Sequence, residues 1–448
     1  MSGNLREADR AHVWHPYTAH SDSAGLRIPI MSAGEGVFLV GHEGRRFVDA
    51  ISSWWASNLG HSHPELLEAL KSQADRLQHS ILGTMSHPAV IRLSEALCQL
   101  FPDPGRHVLF SSDGASAVEG AIKVALQYWH NVGRPEKNRL VAMEGAYHGD
   151  TLGCVSLVFN EKIHGPFRSV IAPAFKTPFP NCRSCQLDDQ GNATACACTA
   201  ELEGLLREQG HCTAAVVVES LCQGAGGMRM YSPNYLRRLA DLCKQHDVLL
   251  ICDEIAMGYG RTGAMFAHEH SGIDPDIVTV GKAITNGWLP MSAAIVRDPI
   301  YETFSDTAAG GDRTFLHGHT FAGNALAASV ALKVLEIYER DNIVERAKEL
   351  GVVLSRSMEG LRGANGLADV RTLGMVGALT LEDRQVSYEG ATRSLVSAVQ
   401  ANMYGRNVLL RSLGNVLYLM MPLVTPETMV REVVDMVGTA VSECASHA

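Results

Sequence analysis

An α/β fold, with a mostly parallel central sheet flanked by helices and a smaller α+β lobe, is what this sequence predicts. Three observations predict it. Short apolar, β-branched runs recur and each stops at a polar or glycine-bearing turn; longer stretches of helical period lie between them; and after about Phe321 long amphipathic helices take over. The length of 448 residues exceeds what one ordinary core supports and suits a large domain with a companion.

The N-terminal stretch Ile28 to Val48, punctuated by Gly34, Gly36, Gly41 and Gly44, reads as a small β-meander joining the second lobe. Five apolar runs then read as strands: Val108 to Phe110 before SSDGASAVEG, Arg139 to Met143 before EGAYHGD, Ala214 to Val218 before Glu219, Val248 to Ile251 before CDE, and Ile277 to Val280 before GKA. Ligands of open α/β sheets sit at the carboxyl ends of strands, so these five turns are expected to converge on one crevice. Helices are expected over Ser116 to Trp129 and over Pro233 to His246, where Pro233 follows Ser232 as a first helical residue behind an N-cap. The second lobe should contain helices over Asn324 to Tyr338 and Val344 to Leu361, with short runs at Val370 to Leu381 and Val408 to Met421. The implied division is an N-terminal segment 1–55 packing with the small domain, a large domain 56–325 and a small domain 326–448.

Composition excludes several classes. With 46% hydrophobic and 19% charged residues the chain can build a core and is not a disordered acidic polymer. A formal charge of −10 without a long basic run disfavours nucleic acid and anionic lipid, leaving small molecules as partners. The first ten residues, MSGNLREADR, lack the apolar region of a secretory signal, and no stretch reaches about eighteen apolar residues, so a cytoplasmic location is expected. Eleven cysteines, scattered among apolar segments, fit reduced thiols better than a disulfide framework.

The main chemical constellation is Asp253 at the end of one strand and Lys282 at the end of another. Pyridoxal chemistry needs this pair, a lysine amine to join the cofactor aldehyde and a carboxylate to keep the ring nitrogen protonated. A surface lysine and a helix-capping carboxylate is the plain alternative. Ser112 to Ser116 lie between a strand and a helix, where small residues and open N–H groups form an anion cradle; a ligand-free turn is the alternative. Tyr147 and His148 could lay an aromatic face on a planar cofactor, or simply pack. Arg411, in NVLLRSLGNVLYLMMP, is either a solvent-paired strand-edge residue or a carboxylate fork. Cys182, Cys185, Cys196 and Cys198 have CxxC then CxC spacing, which could hold structural zinc although the second pair lacks the usual gap. The pairs His61/His63 and His317/His319 read as satisfied turn histidines rather than metal ligands.

On these residues the sequence resembles the class III aminotransferases of fold-type I over essentially its whole length. DEIAMGYGRTG from Asp253 followed by GKAITNG from Gly281 carries the resemblance. WHPYT at Trp14 to Thr18, SSWWASNLGHSHPEL from Ser52, ALQYW, QGAGGMRMYSP from Gln223 and HGHTFAGN from His317 are similar to the branch that aminates 8-amino-7-oxononanoate in biotin synthesis. The resemblance implies pyridoxal 5′-phosphate as cofactor, S-adenosylmethionine or lysine as amino donor, and a homodimer with shared active sites in which the partner's Thr320 completes the phosphate site. It implies Lys282 as the cofactor-linked lysine and proton carrier and Asp253 as the ring-nitrogen partner. Gly114 and Ala115 become main-chain phosphate binders, with His319 and Thr320 in the same site. Trp54 and Tyr147 would line the substrate pocket, Tyr17 would orient donor and ketone, Gly318 would meet substrate through its backbone, and Arg411 would clamp the acceptor's carboxylate. Ornithine, 4-aminobutyrate and β-alanine aminotransferases, an aminomutase, and a zinc-bearing interaction protein on an inactive scaffold are the competing readings. This chain departs from the family at Ser220 and His319, where proline is usual, and in SDGAS, where serine–glycine–serine is usual.

Overall fold

The computed structural model describes residues 5–18, 29–180, 197–305 and 313–446. Three strands open the chain, β1 (Met31–Glu35), β2 (Phe38–Gly41) and β3 (Arg46–Asp49), as an antiparallel meander. The large sheet is built from β4 (Arg106–Ser111), β5 (Arg139–Met143), β6 (Phe175–Thr177), β7 (Thr213–Glu219), β10 (Leu249–Asp253), β11 (Ile277–Val280) and β12 (Ser292–Arg297), between which β8 (Cys222–Gln223) and β9 (Arg229–Met230) make a short hairpin. Its strand order is β4-β12-β11-β10-β7-β5-β6. Only β12 runs against its neighbours; the pairs β11/β10, β10/β7, β7/β5 and β5/β6 are parallel.

Parallel strands covered on both faces must be apolar throughout, and β7 (TAAVVVE) and β10 (LLICD) are buried at every position. One face is covered by helix Gly114–Asn131, whose Ala117, Val118, Ala121, Ile122, Val124 and Ala125 are small or slim enough for close approach. Asp113 caps that helix by accepting from the Ser116 N–H at 3.0 Å. Helix Pro233–Gln245 begins as the sequence indicates, with Ser232 accepting from the Asn234 N–H at 3.2 Å.

The C-terminal part holds β13 (Leu367–Leu373), β14 (Val376–Leu381), the hairpin β15 (Gln385–Tyr388) and β16 (Ala391–Ser394), then β17 (Val408–Leu409), β18 (Arg411–Leu413) and β19 (Val416–Leu419). Long helices Ala325–Arg340, Ile343–Glu359, Leu395–Gly405 and Glu427–Ala445 accompany them. The meander does join this part: β17 pairs in parallel with β3, Leu409 opposite Asp49. All five strands expected in the large sheet are present. Two were not read from the sequence, the edge strand β6 and the antiparallel β12, which inserts between β4 and β11.

Candidate functional site

The five turns after β4, β5, β7, β10 and β11 do converge. They line a cavity of about 550 Å³ with Asp113, Gly114 and Ala115 from the first, Tyr147 to Thr151 from the second, Glu219 from the third, Asp253 and Ile255 to Met257 from the fourth and Lys282 from the fifth. Trp55, from the far N-terminal side, closes it.

At the sheet end, Asp253 and Glu219 stand on adjacent parallel strands in direct register. Two buried carboxylates side by side repel unless their surroundings differ, and they do. Asp253 Oδ2 lies 2.8 Å from His148 Nδ1, and its Oδ1 accepts from the Ile255 N–H at 3.0 Å and Thr279 Oγ1 at 3.3 Å. Glu219 instead accepts from the backbone N–H groups of Tyr147 and Gly224, both at 2.9 Å. Burial, augmented by Asp253, pushes Glu219 up to about 7. Lys282 is partly exposed at the cavity wall, and its backbone sits in the left-handed region with φ +43°. Burial holds its amine below the ordinary lysine range, against the pull of Asp253 and Glu219.

The anion cradle is at the first turn. The N–H groups of Gly114 and Ala115 bond to no other described residue, while Ser116 is already taken by Asp113. Space there is tight: a Cβ at Gly114 would stand 3.1 Å from the Ile255 side chain. Gly149 takes φ +119°, and a Cβ on it would stand 2.4 Å from the Ala115 Cβ. Glycine is therefore required at 149 for the second turn to close on the first.

A tyrosine pair forms the opposite rim. Tyr17 OH donates to the Asp150 carboxylate at 2.5 and 2.6 Å, Tyr147 OH donates to Asp150 Oδ2 at 2.8 Å, and the two phenols lie 3.3 Å apart. Burial first, then its bond to Asp150, raises the Tyr17 phenol; burial, Tyr17 and Asp150 raise that of Tyr147 further. The Tyr17 ring meets Trp54 edge-on at 5.9 Å. Arg411 then stacks on Trp54, its Cζ 3.9 Å from the ring centroid, and makes no hydrogen bond or ion pair to another described residue. Lys282 Nζ lies 5.1 Å from the Trp55 ring centroid. Two consecutive tryptophans thus carry a nucleophilic amine and an unpaired guanidinium.

Their placement depends on an unusual backbone. Ser52, Ser53, Trp54 and Trp55 all have positive φ, between 46° and 75°, a left-handed turn of four non-glycine residues. Such residues cost about 1–3 kcal/mol each and persist only where surrounding contacts impose them. Here Ser52 Oγ donates to Met420 O at 2.6 Å, and the buried Arg261 reaches Ser52 Oγ at 3.3 Å and Met421 O at 2.6 Å.

Tyr17, Trp54 and Arg411 are not among the residues lining this cavity, although Tyr17 bonds two that are, Tyr147 and Asp150; nor are Gly318, His319 and Thr320. They follow His317, whose Nδ1 lies 3.1 Å from Lys123 Nζ on the helix Gly114–Asn131. The expectation of satisfied turn histidines holds for His61, bonded to Asp49 at 2.9 Å, but His63 Nδ1 and His317 Nε2 are buried without a partner among the described residues. Ser220, where proline was expected, uses the difference: its N–H donates to Asp253 O at 3.4 Å, which proline could not do. Cys182, Cys185 and Cys196 lie outside the described residues. Among the described residues no cluster of His, Cys, Asp or Glu is arranged as a metal site. Sequence reasoning placed Glu219 at a strand end without giving its carboxylate a role and missed Asp150, whose only signal was its place in the turn GAYHGD.

Comparison with known proteins adds three findings. The family described as Aminotransferase class-III matches residues 20–441. Among curated relatives, the adenosylmethionine-8-amino-7-oxononanoate aminotransferase of Geobacter sulfurreducens is 37% identical over 94% of this chain and 93% of its own, and that of Aquifex aeolicus is 36% identical over 98% and 97%. Among solved structures, the adenosylmethionine-8-amino-7-oxononanoate aminotransferase of Methanocaldococcus jannaschii superposes with a TM-score of 0.90 at 31% identity, covering 98% of this chain and 99% of that one. An omega transaminase of Pseudomonas jessenii, solved in complex with PMP, has a TM-score of 0.89 at 25% identity over 99% of both chains.

Proposed function

We propose, for a chain that belongs to the class-III aminotransferase family, the amination of 8-amino-7-oxononanoate to 7,8-diaminononanoate, with S-adenosylmethionine as amino donor and pyridoxal 5′-phosphate as cofactor. The observation that carries the substrate reading is the unpaired Arg411 guanidinium on Trp54, next in the chain to the Trp55 whose ring the Lys282 amine approaches. A substrate with a reacting nitrogen or ketone at one end and a carboxylate at the other suits that pair of groups, and the names of the relatives point to the same molecule.

The residues present fit the cofactor. Gly114 and Ala115 offer open N–H groups at a helix N-terminus to its phosphate, the Tyr147 ring offers a face, Asp253 a carboxylate to the ring nitrogen and Lys282 an amine to the aldehyde. When bound, the cofactor supplies an aldehyde that takes up amines and a ring that draws electron density from the carbon losing its proton. Lys282 Nζ, neutral at lower pH than a solvated lysine, would accept the proton lost from the donor Cα and hold it for return to the reacting end. His148 fixes the Asp253 carboxylate from its other side. Tyr17, Tyr147 and Asp150 hold the reacting end of the acceptor, Arg411 its carboxylate and Trp54 the chain between.

A homodimer with shared sites belongs to this reading. Gly318, His319 and Thr320 do not line the chain's own cavity and in this reading serve the partner's substrate and phosphate sites, and Leu316, Phe321 and Met85 expose 82%, 64% and 61% of their surface. A cytoplasmic location belongs to the same reading, with Cys98, Cys154, Cys212, Cys222, Cys243, Cys252 and Cys444 as free thiols. No helix among the described residues is long and apolar enough to cross a membrane. The deciding experiment supplies 8-amino-7-oxononanoate with S-adenosylmethionine or lysine in separate reactions and measures diamine formed. Turnover with S-adenosylmethionine is expected; turnover with lysine alone would replace the donor, and none with either would replace the acceptor.

A further inference from the structure

Met420 and Arg261 hold Ser52, the first residue of the left-handed turn Ser52–Trp55; the second, Ser53, is held by a carboxylate outside the cavity. Asp49 closes β3 with none of its surface exposed, and it accepts hydrogen bonds from Ser53 Oγ at 2.8 Å, His61 Nε2 at 2.9 Å and the Ile51 N–H at 3.2 Å. No lysine or arginine forms an ion pair with it among the described residues; His61 is its one partner able to carry charge. His61 is itself pinned. Its backbone exchanges two hydrogen bonds with Gly36, at 2.7 and 3.1 Å, and its side chain lies so close to Gly34 that a Cβ there would stand 2.7 Å from the His61 Cβ.

Asp49 also faces the strand that delivers the guanidinium. Its register partner on β17 is Leu409, two residues before Arg411, and the Ala50 N–H donates to Leu409 O at 3.2 Å. The carboxylate therefore ties the turn that carries Trp54 to the end of β3, and the backbone of β3 pairs with the strand that leads to Arg411. A rigid buried acceptor of this kind can fix a conformation that the local sequence disfavours, because releasing the turn would leave the charge without its donors.

We propose that Asp49, acting through Ser53 and His61, is the positioning residue of the carboxylate end of the substrate site, holding the left-handed turn that seats Trp54 beneath Arg411. The inference rests on the reading of Arg411 as a carboxylate clamp. A carboxylate that merely stabilised the fold would, when altered, weaken cofactor retention and every substrate interaction alike. A positioning residue shifts carboxylate recognition selectively.

The test uses the cofactor-loaded protein and its Ser53→Ala and Asp49→Asn variants, titrated with nonanoate and followed by tryptophan fluorescence, with methyl nonanoate as the uncharged control. Losing the Ser53 hydroxyl should raise the nonanoate Kd about tenfold or more, the effect of one hydrogen bond to a charged group, and Asp49→Asn should raise it further. The acceptor KM should rise in parallel while kcat changes less than twofold, and bound cofactor per subunit should stay at the wild-type level. Nonanoate affinity within twofold of wild type in Ser53→Ala overturns the proposal. So does a loss of affinity matched by loss of cofactor or by an equal loss for methyl nonanoate. If Asp49→Asn does not fold, Ser53→Ala decides alone, because it leaves the Asp49–His61 bond in place. Failure of the underlying reading is separable: wild-type protein that binds nonanoate without aminating 8-amino-7-oxononanoate refutes the substrate and leaves this inference standing, whereas unchanged nonanoate binding in Arg411→Ala refutes both.

Discussion

Replacing Arg411 with alanine tests the substrate reading most directly. The guanidinium is half-buried, stacked 3.9 Å above Trp54 and bonded to no described residue, so its hydrogen-bonding capacity is available to a ligand. A bidentate arginine–carboxylate pair provides two charge-assisted bonds; with discounting for partial exposure, its loss should cost about 3–4 kcal/mol of binding. That corresponds to about a hundred- to thousandfold in acceptor kcat/KM. The fold should lose little, about 0.5–1 kcal/mol for the ring contact, because no internal carboxylate is left unpaired. The assay compares 8-amino-7-oxononanoate with its methyl ester in both proteins. Wild type should prefer the acid by two to three orders of magnitude, and the variant should treat acid and ester nearly equally. Arg411→Lys should fall between them, since an ammonium keeps the charge but not the fork. An acid-to-ester preference that survives Arg411→Ala would place the carboxylate elsewhere and refute the reasoning.

Lys282→Ala should abolish both the yellow colour and the borohydride fixation of cofactor to the chain; a fixed adduct remaining in that variant, detected by mass spectrometry, would reassign the lysine. Glu219 gives a pH signature. Its folded value of about 7 stands above its ordinary value of 4.5, so the stability it contributes is fully present below about pH 4.5 and is lost as pH rises through 7, by up to about 3 kcal/mol. The unfolding free energy of wild type relative to Glu219→Gln should therefore decline across that window, and a flat difference in denaturant titrations would show the carboxylate to be ionised throughout. Gly149→Ala should push the Tyr147–Thr151 turn off Ala115, costing about 1–3 kcal/mol and loosening the phosphate cradle. Cofactor loss on dialysis at least tenfold faster than wild type is the expected reading; unchanged retention would show that the contact is not needed.

Much of the site could be read before any coordinates, for a physical reason. Buried parallel strands must be apolar to their ends, so β7, β10 and β11 announce themselves as VVV, LLIC and IVTV, and the first polar residues after them, Glu219, Asp253 and Lys282, lie where the sheet opens. The turn at Asp113 to Ser116 was legible as a capped strand-to-helix junction, but a ligand-free turn has the same sequence, and only the packing shows the Gly114 and Ala115 N–H groups open to the cavity. β12 was harder: SAAIVR carries no sign of direction, and only its pairing with β4 and β11 makes it antiparallel.

What the sequence determined by itself is the ladder of strand ends and the residue types placed on them, because period and burial are local properties of the chain. What only the tertiary structure decided is which of those groups meet. The pairing of β3 with β17 brings Asp49 near the strand of Arg411, more than three hundred and fifty residues away in the chain. The left-handed turn of Ser52–Trp55 runs against the preference of every residue in it, so no propensity could have foretold it. Asp150 takes one phenol, Tyr147, from its own turn and acquires the second, Tyr17, only because the N-terminal segment folds back over the β5 turn. Contacts between distant segments depend on how layers stack, and that information resides in the packed structure rather than in any one stretch of sequence.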